Sequence, residues 1–313
     1  MTAHSDPRSG RLFDLSARTK VRVTGNDRLR FLNGQLTNDV AKAVSSRAIA
    51  ACVLNVKGRI DAHVFLSTAA DAIFIDSAPE LQEKLPSRLE RYVIADDVQI
   101  EDVGSRWSIF HILSSAAPEP PENCRMVAAT RFRLPGWDIW VEASEHDRIF
   151  EQFSGTFAFY DDAEAEVFRL EEGIPRWGRE LTEEINPIEA NLEESCIDYR
   201  KGCYIGQEVI SRMKVSGQRN KKLCGLVSVH DLPMERGMKL YRMGEEKKET
   251  GWITSAVRSK RLAKEIALGY IKRPFPPSGG FRLDALDPED QYGSPAVRVE
   301  IVDLPFVRAE SSK

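Results

Sequence analysis

The order of strands and helices that the sequence predicts constrains the fold of this chain more than any other feature. Two apolar runs, IAACVLNV and IDAHVFLS, flank the short turn KGR and predict a β-hairpin. A strand, a helix and two more strands follow, and a second hairpin, at RMVAATRFRL and GWDIWVEA, precedes two further helices. This mixed order predicts an α+β fold rather than a regular alternation of strand and helix.

The character of the sequence changes near residue 222. From there on, short strand-like runs alternate with turns that contain glycine, proline and charged residues, which predicts a small antiparallel β-barrel over 222–310. A length of 313 residues suits more than one domain. We expect a disordered tail at 1–11 and an α+β body at 12–215, built from two sets of elements at approximately 12–113 and 124–215.

Charge and cysteine usage exclude several classes of protein. The net charge of −4 and the pI near 5.9 argue against a globally basic nucleic-acid binder, so we expect no direct nucleic-acid partner. No apolar run is long enough to span a bilayer, and the polar start of the chain does not have the pattern of a secretory signal. The five cysteines have neither CxxC nor zinc spacing, which predicts free thiols, no metal site and a cytoplasmic location.

The segment KGCYIGQE, residues 201–208, offers two interpretations of Cys203. Most free cysteines are buried small apolar residues. Here Lys201 and a helix that begins near Gln207 both favour the thiolate, which makes a reactive thiol plausible. The surrounding segment carries six more positive than negative charges, and it can be a solvated basic loop or a site for a ligand with several carboxylates. Its charged residues are Arg200, Lys201, Arg212, Lys214, Arg219, Lys221 and Lys222, against Glu208.

A second segment, FRLEEGIPRWGRELTEEINPIEANL, places two carboxylates at the end of a predicted helix. Glu171 and Glu172 are unfavourable there, because the helix dipole is negative at that end. Arg176 or an amine of a ligand can compensate them, or one of them points to water. Trp177 can line a pocket or belong to the core. Earlier in the chain, the run GNDRLRFLNGQLTNDV predicts a capped helix over 25–40. Asn38, near the end of that run, suits either capping or a site.

Taken together and in order, these segments resemble the YgfZ-like proteins, which are relatives of the glycine-cleavage T-protein (aminomethyltransferase). The resemblance runs from about residue 12 to about 273 and rests on FLNGQLTNDV, KGR, FRLEEGIPRWGREL with NPIEANL, KGCYIGQEVISR, and TGWITS with ALGYIKR. It implies two intertwined ferredoxin-like α/β units that form a folate-binding body, followed by a small C-terminal antiparallel β-barrel.

The resemblance also implies a cofactor, tetrahydrofolate or a one-carbon derivative of it. Glu171 takes the place of the T-protein glutamate that binds the pterin ring, where a carboxylate can pair with two N–H donors of the aminopyrimidine. The basic segment would face the glutamate tail of the folate, and Cys203 would be the functional thiol. The residues implied to bind the cofactor are Glu171, Arg169, Trp177, Asn38, Lys201, Gln207 and Arg212.

The sequence departs from the T-proteins after the first hairpin turn. T-proteins carry an aspartate pair there, whereas this chain, counted from Gly58, has Ala62 and His63 at those places, with Asp61 one residue early and on the opposite face of a strand. We therefore do not expect a true aminomethyltransferase.

The resemblance favours a monomeric bacterial cytoplasmic factor that binds tetrahydrofolate and assists assembly, insertion or repair of iron–sulfur clusters. Its expected partners are iron–sulfur enzymes or their assembly proteins, and no membrane. Two alternatives remain: a folate-dependent aminomethyltransferase or other one-carbon transferase, and a tRNA-modification partner.

Overall fold

A computed structural model of the chain describes residues 10–242, 248–276, 282–286 and 296–307. Residues 1–9 of the tail expected at 1–11 lie outside the described ranges, and the first strand begins at Arg11. No helix within the described ranges is long and apolar enough to cross a membrane.

The chain packs into two compact units. Residues 1–165 and 194–209 form the first unit, and residues 166–193 and 210–313 form the second. Residues 166–193 therefore belong with the barrel strands, although they precede the expected barrel boundary in sequence. The expected domain limits, 12–215 and 222–310, stay a prediction.

The first unit contains ten strands in two sheets. They are β1 (Arg11–Asp14), β2 (Thr19–Thr24), β3 (Ile49–Leu54), β4 (Ile60–Thr68), β5 (Ile73–Ser77), β6 (Gln99–Asp102), β7 (Trp107–Leu113), β8 (Arg125–Ala129), β9 (Gly136–Glu142) and β10 (Ala158–Phe159). One sheet has the order β10–β1–β7–β9–β8 and the other the order β3–β4–β5–β2–β6. The two sets of elements are intertwined, because β1 and β7 from the first set share a sheet with β8, β9 and β10 from the later set.

Six α-helices accompany the described strands. They are α1 (Arg28–Gln35), α2 (Lys84–Glu90), α3 (His146–Ser154), α4 (Asp162–Glu171), α5 (Glu193–Cys196) and α6 (Gln207–Ser216), and single turns of 3-10 helix lie at Val40–Lys42, Pro79–Leu81 and Ala143–Glu145. Ile149 and Phe153 of α3, four positions apart and hence on one helix face, pack against Leu12 and Phe110 of the first sheet.

A buried ionic network joins the two sheets of the first unit. The guanidinium of Arg131 bonds to Asp76 of β5 and to Asp138 of β9, with distances of 2.7 Å to each carboxylate. Burial opposes ionisation of Asp138, but the charge of Arg131 outweighs it and holds the pKa of that carboxyl at about 2. Removing the guanidinium would therefore leave two carboxylates in the interior with less compensation.

The second unit contains the expected barrel, which is confirmed. Its strands are β11 (Lys221–Ser228), β12 (Lys239–Arg242), β13 (Glu249–Ser259), β14 (Lys264–Lys272), β15 (Arg282–Leu286) and β16 (Val297–Val302). They close in the order β11–β14–β13–β12–β15–β16. The inner face is apolar, with Leu226, Leu240, Ile253, Val299 and Ile301 all nearly or completely buried.

The structure confirms both predicted hairpins and shortens the first helix. The hairpins are β3–β4 and β8–β9. The predicted first helix spans 25–40, but α1 ends at Gln35 because Leu36 is extended and forms a β-bridge with Val53. The sequence interpretation missed β1, β2, β10 and β15. β1 has four residues and β10 has two, too few to show a periodic pattern.

Candidate functional site

The KGCYIGQE segment forms a tight turn between α5 and α6, and α6 begins at Gln207 as predicted. Gly206 has φ +84°, a conformation that residues with a side chain rarely adopt. A Cβ at this position would lie 2.7 Å from the carbonyl oxygen of Asn55 and 3.2 Å from Cα of Gly58. The turn therefore packs directly against the KGR turn of the first hairpin, and glycine at 206 makes this close approach possible.

The turn leaves the thiol of Cys203 at the surface. Cys203 and Gly202 are exposed, whereas the next residue, Tyr204, is buried and anchors the segment. The interpretation of Cys203 as a buried apolar residue is thus wrong. Its accessibility is the first requirement for a reactive thiol.

Lys201 is directed at a helix end. Its Nζ donates to the carbonyl oxygens of Asn33, at 2.5 Å, and Leu36, at 2.6 Å, in the last turn of α1 and just beyond it. Burial lowers the pKa of Lys201 to about 8. Lys201 thus satisfies carbonyl groups that the end of α1 leaves open. Its part in activating Cys203 or in binding a cofactor stays a prediction.

Asn38 ties neighbouring segments of the first unit together. Its Nδ2 donates to the carbonyl oxygens of Ala50, at 2.8 Å, and Ser195, at 3.3 Å, and its Oδ1 accepts from the Asp39 amide. Both of its amide hydrogens are used by the protein. The side chain of Gln207, at the start of α6, is half-buried. In the first unit, the structure thus places Asn38, Lys201, Cys203 and Gln207 on or against the segment 194–209.

Glu171 of the second unit is the last residue of α4 and is only 5% exposed. Its Oε1 accepts a hydrogen bond of 2.5 Å from the hydroxyl of Ser259 in β13. Within the described part of the chain, Ser259 is the side-chain donor that the structure gives to this carboxylate. A buried carboxylate with one hydroxyl partner retains the capacity to accept further hydrogen bonds.

Arg169, two residues before Glu171, uses all of its hydrogen-bond donors within the protein. Its five N–H donors go to Glu166 twice, to the carbonyl oxygen of Ile174, to Glu180 and to the hydroxyl of Ser255. A guanidinium has five N–H groups, so no donor remains for a ligand. This arrangement gives Arg169 a structural role beside Glu171, and its assignment to cofactor binding stays a prediction that the geometry does not favour.

Glu180 is a central residue that the sequence interpretation missed. It is fully buried and accepts from Arg169, Thr254 and Ser255. Its place in the same RWGREL segment that carries Trp177 could have marked it, since a glutamate is rarely fully buried without such partners.

Trp177 is half-buried and Arg212 is exposed on α6, so neither belongs to the core.

The positive charge of the segment 200–222 is partly offset in the fold. Lys214 bonds to Glu193 at 2.5 Å, and Lys221 lies 4.0 Å from Glu189. The pair at Lys214 is largely exposed and contributes little stability, whereas Glu189 is buried. Both pairs reduce the local charge available to a ligand.

The acid near the first hairpin turn is also paired. Asp61 accepts from Arg88 at 2.8 Å, and Arg88 further donates to the carbonyl oxygen of Leu54. Ala62 is almost completely buried. Asp61 is therefore held in an ion pair within the first unit.

The described residues contain no cluster of three or more histidine, cysteine, aspartate or glutamate side chains arranged to hold a metal ion.

Three comparisons relate the chain to known proteins. A family model, the glycine cleavage T-protein C-terminal barrel domain, matches residues 221–307. The aminomethyltransferase of Aquifex aeolicus is 32% identical over 180 residues, which cover 57% of this chain and 47% of that protein, so the match spans less than half of the relative.

The tRNA-modifying protein YgfZ of Yersinia pestis (strain Pestoides F) is 25% identical over 257 residues, which cover 76% of this chain and 77% of that protein. The crystal structure of the glycine cleavage system aminomethyltransferase T from Bartonella henselae shares the fold, with a TM-score of 0.83 at 17% identity over 96% of this chain and 87% of that one. With the KGCYIGQE segment, these similarities support the identification of the chain as a YgfZ-like member of the glycine-cleavage T-protein superfamily, and the chain shares the T-protein fold.

Proposed function

We propose that the protein is a tetrahydrofolate-binding factor that uses the thiol of Cys203 to assist assembly, insertion or repair of iron–sulfur clusters in client enzymes. The observation that carries the proposal is the exposed Cys203 on a turn that Gly206 holds against the first hairpin. The client enzymes and their assembly proteins would be its partners, in a bacterial cytoplasm.

The chemistry of thiols supports the role of Cys203. Thiolates are the ligands that proteins use for iron–sulfur clusters, and the cluster here is cargo rather than a resident group. One exposed thiol suits transient contact with a cluster, whereas a permanent site needs several ligands. Buried Tyr204 and the bonded Lys201 fix the backbone on both sides of Cys203, so the thiol is presented from a defined position.

The buried Glu171 carboxylate fits the proposed folate. An aminopyrimidine offers paired N–H donors, and Glu171 has a single side-chain donor among the described residues. When bound, tetrahydrofolate would supply a carrier for one-carbon groups. In the protein, Ser259 orients the carboxylate, and Arg169 fixes the end of α4 through its bonds to Glu180 and Ile174.

A transferase remains the second candidate, since aminomethyltransferases are among the relatives. The pairing of Asp61 with Arg88 disfavours it, because a carboxylate in an ion pair is a poor general base. We expect that the purified protein does not release ammonia from an aminomethyl-lipoyl donor at the rate of a true T-protein. Rapid release would place the transferase first. The name of the Yersinia relative makes a tRNA-modification role the third candidate.

Folate binding is tested by calorimetric titration. We expect tetrahydrofolate or its formyl derivative to bind with micromolar affinity or tighter, about −8 kcal/mol. Glu171→Ala should weaken binding by about 2–3 kcal/mol, the cost of losing a charge-assisted pair, and Glu171→Gln should weaken it while preserving the volume. Glu172→Ala, at the neighbouring acid, is the matched control. Unchanged affinity in both Glu171 variants would remove this residue from the site.

The role of Cys203 is tested in a bacterial strain that lacks its own YgfZ-like protein. Cys203→Ser should fold and bind folate as the wild type does, because position 203 is exposed, yet it should fail to restore the activity of iron–sulfur enzymes. Cys224→Ser, at a half-buried thiol of the barrel, should restore it. Full restoration by Cys203→Ser at native expression would contradict the proposed role of this thiol.

A further inference from the structure

Two buried cysteines and a histidine meet in the first unit, outside the KGCYIGQE turn. Cys52 on β3 lies directly opposite His63 on β4, so their side chains share one face of the sheet. Cys196, the last residue of α5, brings its sulfur to 3.5 Å from Nε2 of His63 and to 3.3 Å from the hydroxyl of Ser195. The thiols of Cys52 and Cys196 are close enough for each to affect the pKa of the other.

One hydroxyl group holds the two cysteines in place. Oγ1 of Thr37 donates to the carbonyl oxygen of Cys196 at 2.5 Å and accepts from the amide of Cys52 at 2.8 Å. The backbones of two cysteines that are far apart in sequence are thereby tied to the same atom. Their mutual position is therefore a built feature of the fold.

The two sulfurs differ in their electrostatic environment. The hydrogen bond from Cys52 and the adjacent imidazole of His63 lower the pKa of Cys196 well below its ordinary value. Burial raises the pKa of Cys52 well above its own. The pair thus consists of one sulfur that favours the thiolate, the form that attacks an oxidant, beside a second sulfur that keeps its proton until a base removes it.

We propose that Cys52 and Cys196 form an oxidisable dithiol whose oxidant is a small hydroperoxide and whose proton donor is His63. The Cys196 thiolate attacks one peroxide oxygen and becomes a sulfenic acid, while the O–O bond breaks and the leaving hydroxide takes the proton of the His63 imidazolium. The now neutral His63, directly opposite Cys52, takes the Cys52 proton, and the Cys52 thiolate attacks the Cys196 sulfur. The S–S bond forms as the S–OH bond breaks, and the hydroxyl group leaves with that proton as water. The two thiols lose two electrons, and hydrogen peroxide becomes two waters.

Burial determines the class of oxidant. Both Cys52 and Cys196 have no exposed surface, and the adjacent His63 is half-buried. A molecule the size of hydrogen peroxide can reach the cluster during small openings, whereas glutathione disulfide needs a larger one. The exposed Cys203 is open to both reagents, so its thiol has to be blocked before the buried pair is tested. This inference does not depend on the proposed function.

The experiment uses the folded wild-type protein. Cys203 is first capped with iodoacetamide under native conditions, the reagent is removed, and equal samples receive hydrogen peroxide or glutathione disulfide. After denaturation with N-ethylmaleimide, peptide mass mapping should find Cys52 linked to Cys196 in the peroxide sample, and both cysteines labelled by maleimide in the glutathione disulfide sample. Recovery of both thiols after peroxide, or oxidation of Cys196 without a link to Cys52, would overturn the proposal.

The role of His63 as proton donor is tested by measuring the rate of disulfide formation. His63→Gln retains a polar side chain but cannot donate a proton to the leaving hydroxide, and disulfide formation should slow about a hundredfold, the contribution of one positioned general acid. Cys224→Ser, far from the pair in sequence, is the matched control and should react at the wild-type rate. An unchanged rate in His63→Gln would exclude His63 as the proton donor and overturn that assignment.

Discussion

At the scale of single residues, the partner of a side chain is set by the fold rather than by its neighbours in sequence. Lys201 lies two positions before Cys203, yet its Nζ bonds to the carbonyl oxygens of Asn33 and Leu36. A neutral amine has two N–H groups, so both of these bonds survive when the proton is lost. This explains how burial can lower the pKa of Lys201 without undoing its contact with α1.

The lowered pKa of Lys201 predicts a specific pH dependence of stability. Its folded-state pKa of about 8 is below the ordinary value of 10.5. Between these values the unfolded chain binds the additional proton, so the free energy of unfolding rises with pH from about 8 to about 10.5. Urea denaturation should show this rise in the wild type relative to Lys201→Met. Parallel pH profiles of the two proteins would contradict it.

At the scale of elements, glycines make contacts between turns possible. Gly206 and Gly202 lie in the same segment, but their surroundings differ. At Gly206 the backbone has positive φ and a Cβ would meet the Asn55 carbonyl, whereas a Cβ at Gly202 would meet nothing within 4 Å. Substitutions at the two positions therefore distinguish the effect of close backbone approach and positive φ from the effect of simply adding a methyl group to this segment.

Substitution at these two glycines should give different results. Gly206→Ala should destabilise the protein by about 1–3 kcal/mol, because of backbone strain and the close carbonyl. Gly202→Ala is the matched control and should change stability by less than about 0.5 kcal/mol. Chemical denaturation followed by circular dichroism measures both. Equal stabilities of the two variants would show that the turn relaxes away from the first hairpin at no cost.

At the scale of the whole molecule, the first unit depends on a polar connection as well as on its apolar core. Arg131 comes from the loop between β8 and β9 and bonds to a strand of each sheet. His111 bonds to Asp138 at 2.7 Å from the neighbouring strand β7. Groups this deeply buried require mutual compensation, so the network specifies how the two sheets of this unit pair.

Breaking this network should cost more than breaking an ion pair at the surface. Arg131→Met leaves the carboxylates of Asp76 and Asp138 buried without their shared cation and should destabilise the protein by about 3–5 kcal/mol. Arg148→Met, which removes the exposed pair with Glu145, should cost less than about 1 kcal/mol. Thermal and urea denaturation distinguish the two. Similar losses in both variants would show that the buried network is not a specific connection.

Features that depend on the local order of residues could be predicted from the sequence. The alternation of apolar residues gave the hairpins β3–β4 and β8–β9, and the glycine turns gave the sharp bends at KGR and in KGCYIGQE. The strand-rich composition after residue 222 gave the barrel, and the order of motifs gave the superfamily. These features follow from periodicity and turn chemistry, which act over a few residues.

The tertiary structure alone decided which distant groups meet. It placed β1 beside β7 and β10, gave Glu171 its partner Ser259, and brought Cys52, His63 and Cys196 together. No local pattern records such pairings, since they arise from the packing of whole elements and from the need of buried polar groups for partners. For the same reason, the resemblance implied that Arg169 binds the cofactor, whereas in the fold its guanidinium donates its hydrogen bonds to groups of the protein.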